Sequence, residues 1–211
     1  MVRIKVCGMC NPLNVKEISE TKPDFMGFIF YPGSPRYVGA RPDKSLFHNV
    51  PPGIKRIGVF VNEDNDKILD LSIHNVLDMV QLHGNESPLS CLQLKSSGLI
   101  IIKTFNIDDD FNFEILKPYM VGCDYFLFDA KTKKAGGSGK KFNWDKLAEY
   151  GLDNPFFLSG GIGPEDTDLI KSIESRKFFA VDVNSRFESS PGIKNVSLVK
   201  TFIDNIKNNQ I

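Results

Sequence analysis

Two apolar segments of this 211-residue chain end in side chains that can move protons. Cys7 follows the segment 4–6, and alternation along a strand places Lys5 on the same face. A neighbouring ammonium favours the thiolate, which would make Cys7 a better base than a free thiol. Asp129 follows the segment 125–128, and burial there would raise its pKa toward the range of a general acid. A structural cysteine and a capping aspartate are the alternative interpretations.

Cys7 also forms a Cys-x-x-Cys pattern with Cys10, a spacing found in redox pairs and in zinc sites. A structural zinc site needs about four ligands, and the sequence has neither a second cysteine pair at this spacing nor a histidine pair after it. We therefore predict no metal site. Cys91 and Cys123 are predicted to be small buried side chains.

Three further polar residues have positions suited to binding a substrate. Gln81 and His83 are two residues apart at the end of an apolar segment, so they share one face of a strand. Arg36 lies in a loop bracketed by prolines, where its guanidinium could clamp a carboxylate through two parallel hydrogen bonds. Together with Lys5, these residues are the candidate substrate-binding set, and each also has an ordinary structural interpretation.

The segment 158–165, LSGGIGPE, joins an apolar run to a predicted helix start. Its glycines leave backbone N–H groups open to an anion. If the chain forms a (β/α)₈ barrel, the loops after its seventh and eighth strands are a frequent phosphate site, often with a short extra helix. We expect that helix to begin within 189–192. The predicted phosphate-binding residues are Gly160, Gly161, Asn184 and Ser185.

A second glycine-rich segment, KAGGSGKK at 134–141, has the composition of a nucleotide-binding P-loop without its pattern. Lys134 stands where that pattern requires its first glycine, and Lys141 stands where it requires serine or threonine. A flexible loop that closes over a ligand is the favoured interpretation.

Apolar runs alternate with polar segments of helical spacing along the whole chain, which is typical of parallel strands joined by crossover helices. Eight such units favour a single-domain α/β (β/α)₈ TIM barrel over residues 1–211, although a doubly wound open sheet could hold the same pattern. In a barrel, the candidate residues would meet at the carboxyl ends of the strands. The predicted strands are 4–7, 25–30, 56–61, 79–82, 99–103, 125–129, 156–159 and 178–183, and the predicted helices lie near 11–20, 43–49, 68–74, 87–96, 111–117, 143–150, 163–173 and 196–208.

The composition narrows the class of protein. The 26 basic and 26 acidic residues give a formal net charge of zero, which offers no argument for binding nucleic acid or an anionic membrane. The N-terminal residues have no signal-peptide pattern, and no apolar run has the length of a membrane span. We therefore expect a cytoplasmic protein with reduced thiols.

The motifs together resemble the phosphoribosylanthranilate isomerases, barrel enzymes of tryptophan biosynthesis with a ribulose-phosphate-binding type of fold. They occur in the family's order nearly from end to end. They are IKVCGM at 4–9, GFIFYPGSPRYV at 27–38, GVFVN at 58–62, VQLHGNES at 80–87, FLFDAK at 126–131, GGSGKKFNW at 136–144, LSGGI at 158–162 and VDVNSRFESSPGIKN at 181–195.

The resemblance implies an Amadori rearrangement of N-(5-phosphoribosyl)anthranilate to 1-(2-carboxyphenylamino)-1-deoxyribulose 5-phosphate. Asp129 would protonate the furanose ring oxygen, and Cys7 would remove the C2 proton of the resulting Schiff base. Arg36 would hold the anthranilate carboxylate, with the phosphate at 160–161 and 184–185. The resemblance implies no metal or organic cofactor, a small-molecule substrate, and a monomer or homodimer.

One departure from the family pattern lies beside the expected phosphate. The family usually reads DVSSGVE where this chain reads Asp182–Glu188 as DVNSRFE, so that Arg186 replaces a glycine. If that glycine requires a positive φ, Arg186 is strained; alternatively, it adds a cation near the phosphate. The change from the usual Lys-Asp to Lys194-Asn195 looks minor.

Other phosphate-binding barrel families fit the sequence less well. A histidine-pathway aldose isomerase would have an aspartate at the position of Cys7, and indoleglycerol-phosphate synthase would have a lysine there. A barrel that only binds a phosphosugar is the non-enzymatic alternative, and the presence of Cys7, Arg36 and Asp129 disfavours it.

Overall fold

The predicted strands form a closed parallel barrel in the computed structural model, which describes residues 2–130 and 142–208. Each strand pairs with the next in chain order, and the eighth pairs with the first. This confirms the (β/α)₈ barrel and excludes the open sheet. The strands are β1 (Arg3–Val6), β2 (Phe25–Ile29), β3 (Lys55–Phe60), β4 (Met79–Leu82), β5 (Ile101–Ile107), β6 (Tyr125–Ala130), β7 (Phe156–Leu158) and β8 (Phe178–Val183).

Helices cover the outside of the barrel, which is why the strands are apolar on both faces. Two helices begin with the local signals of a helix start. Asn11 and Ser87 accept hydrogen bonds from backbone N–H groups three residues on, and a proline follows each cap. The helices are α1 (Pro12–Ser19), α2 (Ser45–His48), α3 (Asn65–His74), α4 (Pro88–Ser96), α5 (Thr167–Lys171) and α6 (Val196–Asn208). None of these described helices has the length and apolar content to cross a bilayer.

Two predicted helices are 3₁₀ segments instead, at Phe113–Tyr119 and Trp144–Glu149. The first contains Pro118, which has no N–H to donate to a helical hydrogen bond. A third 3₁₀ turn, Pro164–Asp166, leads into α5. The loop predicted to close over a ligand, 134–141, lies outside the described residues.

The interior of the barrel is divided along its axis. Its amino-terminal end is filled by an apolar cluster that includes Phe25, Leu127 and Phe157. Buried polar side chains, Lys5 and Asp182 among them, lie nearer the carboxyl ends of the strands. This division directs the barrel's chemistry toward the end where the βα loops lie.

After β8, the predicted short helix at 189–192 is wrong. The chain makes a single 3₁₀ turn at Ser185–Phe187, followed by an antiparallel hairpin of β9 (Glu188–Ser190) and β10 (Ile193–Lys194). Gly192 has a φ of +84°, so it can make the tight turn between these two strands.

Candidate active site

The centre of the polar layer is a buried ion pair between neighbouring strands. Pairing of β1 with β8 places Lys5 opposite Asp182, and Lys5 Nζ lies 3.0 Å from Asp182 Oδ2. The two side chains are 0% and 6% exposed. Burial acts to lower the pKa of Lys5, but the charges of Asp182 and Cys7 outweigh it and raise that pKa. Lys5 is therefore a stable cation beneath the site.

Cys7 lies directly after β1, with its thiol turned toward β2 above Lys5. A Cβ atom added to Gly27 would lie 2.7 Å from Cys7 Sγ, so the absence of a side chain there makes room for the thiol. Burial raises the pKa of Cys7, and the opposing effect of Lys5 is smaller. This corrects the expectation from the sequence, because Lys5 does favour the thiolate but does not bring the pKa below its usual value.

A chain of hydrogen bonds runs from Lys5 to Asp129 and determines the tautomer of His83. Lys5 Nζ donates to Gln81 Oε1, which fixes the orientation of that amide. Gln81 Nε2 then donates to Thr104 Oγ1 at 3.1 Å and to His83 Nδ1 at 2.9 Å. Since His83 Nδ1 is the acceptor, its proton is on Nε2, which lies 3.4 Å from Asp129 Oδ2.

Lys5 and Gln81 are both buried and their polar atoms are engaged within the protein, so their predicted substrate contacts stay predictions.

Asp129 is 24% exposed at the end of β6 and pairs with His83, so it is solvated and paired rather than buried. A Cβ atom added to Gly160 would lie 2.9 Å from Asp129 Oδ1. The predicted acid therefore lies against the predicted phosphate loop.

That loop presents unshielded backbone donors. Gly160 and Gly161 have φ values of +93° and +68°, conformations that side chains disfavour. Within residues 2–130 and 142–208, no group accepts a hydrogen bond from either N–H. Asn184 and Ser185 follow the neighbouring strand β8 and are partly exposed. The four residues predicted to bind phosphate thus lie at the ends of two adjacent strands.

Arg186 has an ordinary negative φ, so the strain considered for this position is absent. Its Nη2 lies 2.7 Å from Glu165 Oε1, across the loops that follow β7 and β8. Both side chains are exposed. Arg186 is therefore a cation beside the predicted phosphate loop, and it already has a carboxylate partner.

Arg36 extends from the loop after β2 and forms a bidentate ion pair with Glu188 of β9. Its Nε and Nη2 atoms lie 2.7 and 2.6 Å from the two carboxylate oxygens. Arg36 is also adjacent to Gly8, the residue after Cys7, because a Cβ there would lie 2.5 Å from Arg36 Cδ. The guanidinium thus belongs to the same site as the thiol.

Cys7 and Cys10 have different neighbours, whereas Cys91 and Cys123 lie next to each other. Cys10 Sγ donates to the carbonyl oxygen of Gly192 at 3.6 Å, away from the barrel interior that holds Cys7. Cys91 and Cys123 are buried, as predicted. All four are free thiols. The Cys-x-x-Cys spacing therefore does not bring the first two thiols to a common ligand.

Three charged residues of the site were not selected from the sequence: Asp182, Glu188 and Lys194. A signal existed for the first, because Asp182 is a carboxylate inside the otherwise apolar strand FFAVDV. Glu188 and Lys194 carried no such signal, because they lie on either side of 189–192, where only the start of a short helix was expected.

Known proteins of one family match this chain nearly from end to end. A family model described as N-(5'phosphoribosyl)anthranilate (PRA) isomerase matches residues 4–205. The N-(5'-phosphoribosyl)anthranilate isomerase of Phocaeicola vulgatus is 43% identical over 204 residues, which is 97% of each chain.

Solved structures of the same family have the same fold as this chain. A phosphoribosyl anthranilate isomerase in complex with reduced 1-(o-carboxyphenylamino)-1-deoxyribulose 5-phosphate has a TM-score of 0.85 and 33% identity, covering 99% of this chain and 100% of that chain. Monomers of the dimeric enzyme from Thermotoga maritima give a TM-score of 0.83 and 32% identity, covering 98% and 99%.

Proposed function

The chain belongs to the N-(5'-phosphoribosyl)anthranilate isomerase family, isomerases of tryptophan biosynthesis, and we propose that the residues at its strand ends carry out this reaction. The observation that carries the proposal is the meeting of a thiol, a carboxyl group, a guanidinium and open backbone donors at one end of one barrel. The reaction is an Amadori rearrangement, in which an aldosylamine becomes an aminoketose.

Asp129 acts in the first step as the general acid. Its proton goes to the furanose ring oxygen, the bond from that oxygen to C1 breaks, and the nitrogen lone pair forms the C1=N bond of a Schiff base. The carboxylate that remains faces His83 Nε2–H, which stabilises the new negative charge.

Cys7 acts in the second step as the general base. The thiolate takes the C2 proton, and the electrons of the C–H bond form a C1=C2 bond while the nitrogen becomes neutral. The resulting enolamine gains a proton at C1 and loses one from the C2 hydroxyl, giving the ketone. Protons and bonding pairs are rearranged without net oxidation, so the steps themselves require neither a metal nor an organic cofactor.

The two ends of the substrate have separate anchors. Arg36 holds the anthranilate carboxylate, since a guanidinium can offer two parallel donors to it. The N–H groups at Gly160 and Gly161, with Asn184 and Ser185, hold the phosphate. Anchors at both ends keep C1 and C2 between the acid and the base, which converts binding energy into orientation.

The buried polar layer supports this arrangement. Lys5 stabilises the thiolate of Cys7 electrostatically, because it counteracts the effect of burial on that group. Lys5 also orients Gln81, and Gln81 orients His83 toward the acid. We propose that Gln81 and His83 complete the substrate pocket on this side.

The test is turnover of N-(5'-phosphoribosyl)anthranilate by the purified protein, followed as loss of anthranilate-type fluorescence. C7S and D129N should each lower kcat by at least about 100-fold, a magnitude typical of losing a general acid or base. Thermal unfolding should show that both variants remain folded.

Matched controls are available. C10S makes the same chemical change at a thiol outside the barrel interior, and D124N changes an aspartate at the opposite end of β6. Both should keep kcat within about threefold of the unchanged protein. Near-normal kcat in C7S and D129N would contradict the assigned roles, whereas an inactive unchanged protein would contradict the proposed function.

Further proposals follow from family membership. We propose that residues 1–211 act as one isomerase domain in the cytoplasm on a small-molecule substrate. A dimeric relative supports a homodimer as one state of this chain, beside the monomer.

A further inference from the structure

Glu188 is a carboxylate that accepts hydrogen bonds from two cations at once. Arg36 donates from Nε and Nη2, and Lys194 donates from Nζ to Oε1 at 2.6 Å. The N–H of Gly192 donates to the same oxygen at 3.1 Å. The exposed fractions of the Arg36 and Glu188 side chains are only 11% and 5%. The family chemistry described above assigns no role to this carboxylate.

Lys194 connects this carboxylate to Asn184, one of the residues proposed to bind the phosphate. Its side chain is fully buried, and its Nζ also donates to Asn184 Oδ1 at 2.6 Å and to the Asn184 carbonyl at 3.3 Å. Its backbone exchanges two hydrogen bonds with the side chain of Asn14 in α1, which holds the hairpin in place. The position of Glu188 is thus fixed from the outer helix layer.

The geometry of the pair leaves part of Arg36 available. Nε and Nη2 face Glu188, and within residues 2–130 and 142–208 both hydrogens of Nη1 and one of Nη2 have no acceptor, on the outer edge of the guanidinium. Without Glu188, the flexible side chain would be free to adopt other rotamers. Burial acts to raise the pKa of Glu188, but hydrogen bonds from Arg36 and the charge of Lys194 outweigh it and lower that pKa, so the carboxylate is ionised at neutral pH.

We propose that Glu188, held by Lys194, is a positioning residue that presents the outer edge of Arg36 to the carboxylate of the substrate. This inference rests on the proposed function, in which Arg36 is the carboxylate anchor. The same Lys194 contacts Asn184, so one buried cation links the carboxylate anchor to a residue proposed to bind the phosphate.

The test is a double-mutant cycle of E188Q and R36M, with steady-state kinetics on N-(5'-phosphoribosyl)anthranilate. In the otherwise unchanged protein, E188Q should raise KM at least tenfold and change kcat less than threefold. In the R36M background, E188Q should change KM less than twofold, because a residue that acts through Arg36 has nothing left to position. D153N, which removes the charge of an exposed pair with Lys177, should leave both constants unchanged.

A ligand without the carboxylate provides the second readout. Inhibition by inorganic phosphate should be equal in E188Q and the unchanged protein within twofold, since the phosphate loop keeps its backbone donors. If E188Q does not fold, E188D replaces it, because a side chain one methylene shorter cannot reach Arg36 and Lys194 together.

Two results would overturn the inference. One is a KM that is unchanged or lowered in a folded E188Q or E188D variant, and the other is an increase of the same size with and without R36M. If the unchanged protein itself shows no turnover, the proposed function fails first, so the two failures are distinguishable.

Discussion

The buried pair of Lys5 and Asp182 gives a sharp prediction about stability. Replacing Lys5 with methionine preserves most of the side-chain volume and removes only the charged donor. Asp182 would then be buried without a cation, and its Oδ1 atom already has no hydrogen-bond partner among the described residues. Gln81 would lose its charged donor at the same time.

The expected cost follows from these contacts. Removing one partner of a buried ion pair costs about 3–5 kcal/mol. The hydrogen bond from Lys5 to Gln81 is lost in the same substitution and is not counted separately. We therefore expect K5M to lower the free energy of unfolding by about 4 kcal/mol at pH 7. For a chain of this size, each kcal/mol shifts Tm by roughly 2–4 °C, so that Tm should fall by about 12 °C.

The pH dependence identifies the cause. Burial raises the pKa of Asp182, and the charge of Lys5 lowers it. In K5M the lowering effect is lost, so the pKa of Asp182 rises further. Between the unfolded-state pKa and this raised value, the folded state binds more protons than the unfolded state. Stability therefore falls as pH rises through the folded-state pKa, and the cost of K5M should shrink toward pH 4.

The assay is denaturant unfolding followed by circular dichroism, at several pH values between 4 and 8. The double variant K5M/D182N should recover at least about 2 kcal/mol, because a neutral amide no longer needs a cation. K200M is the matched control. Lys200 is 63% exposed in an i,i+4 pair with Asp204, so its loss should cost less than about 1 kcal/mol.

Three outcomes would refute this reasoning: a K5M cost below about 1 kcal/mol at pH 7, a cost that does not depend on pH, or no recovery in K5M/D182N. The first would mean that the ion pair contributes little to stability, and the other two would mean that the cost does not come from an unpaired Asp182 carboxylate.

Three further predictions concern the site. Because burial raises the pKa of Cys7, kcat/KM should rise with pH through neutrality into the alkaline range, as a pH–rate profile will show; a profile that is flat there would argue against a thiolate base. G160A should raise KM and lower Tm, because Gly160 has a φ of +93° and an added Cβ would collide with the backbone of Ala130. Steady-state kinetics and thermal unfolding measure the two effects. R186M should change KM less than threefold at moderate salt, because that guanidinium is exposed and paired with Glu165; a tenfold increase would show a direct phosphate contact.

Much of the fold was predictable because its signals are local. Apolar runs of strand length, proline after a capping residue and glycine between elements are all readable within a few residues. The barrel follows from their number and order, and the barrel in turn places every strand end at one face. Cys7, Asp129 and the 160–161 glycines could therefore be chosen from position and residue type.

Other features could not be read locally. The segment after Asn184 contains serine, proline and glycine, which suit a helix start and a hairpin turn equally. The hairpin is anchored by Asn14, 180 residues away in the chain, whose side chain makes two hydrogen bonds with the backbone of Lys194. Likewise, nothing near Arg36 in the sequence indicates Glu188, its partner 152 residues later.

The sequence by itself determined which residues could move protons, that they occur at strand ends, and that eight strand–helix units should form a barrel. Only the tertiary structure decided how those residues are charged and oriented, because burial and charge depend on neighbours from distant strands. Burial raises the pKa of Cys7 against the effect of Lys5, and the amide of Gln81 sets the tautomer of His83. Glu188 binds one edge of the Arg36 guanidinium and so orients the other edge. These are properties of the closed barrel and not of any segment in it.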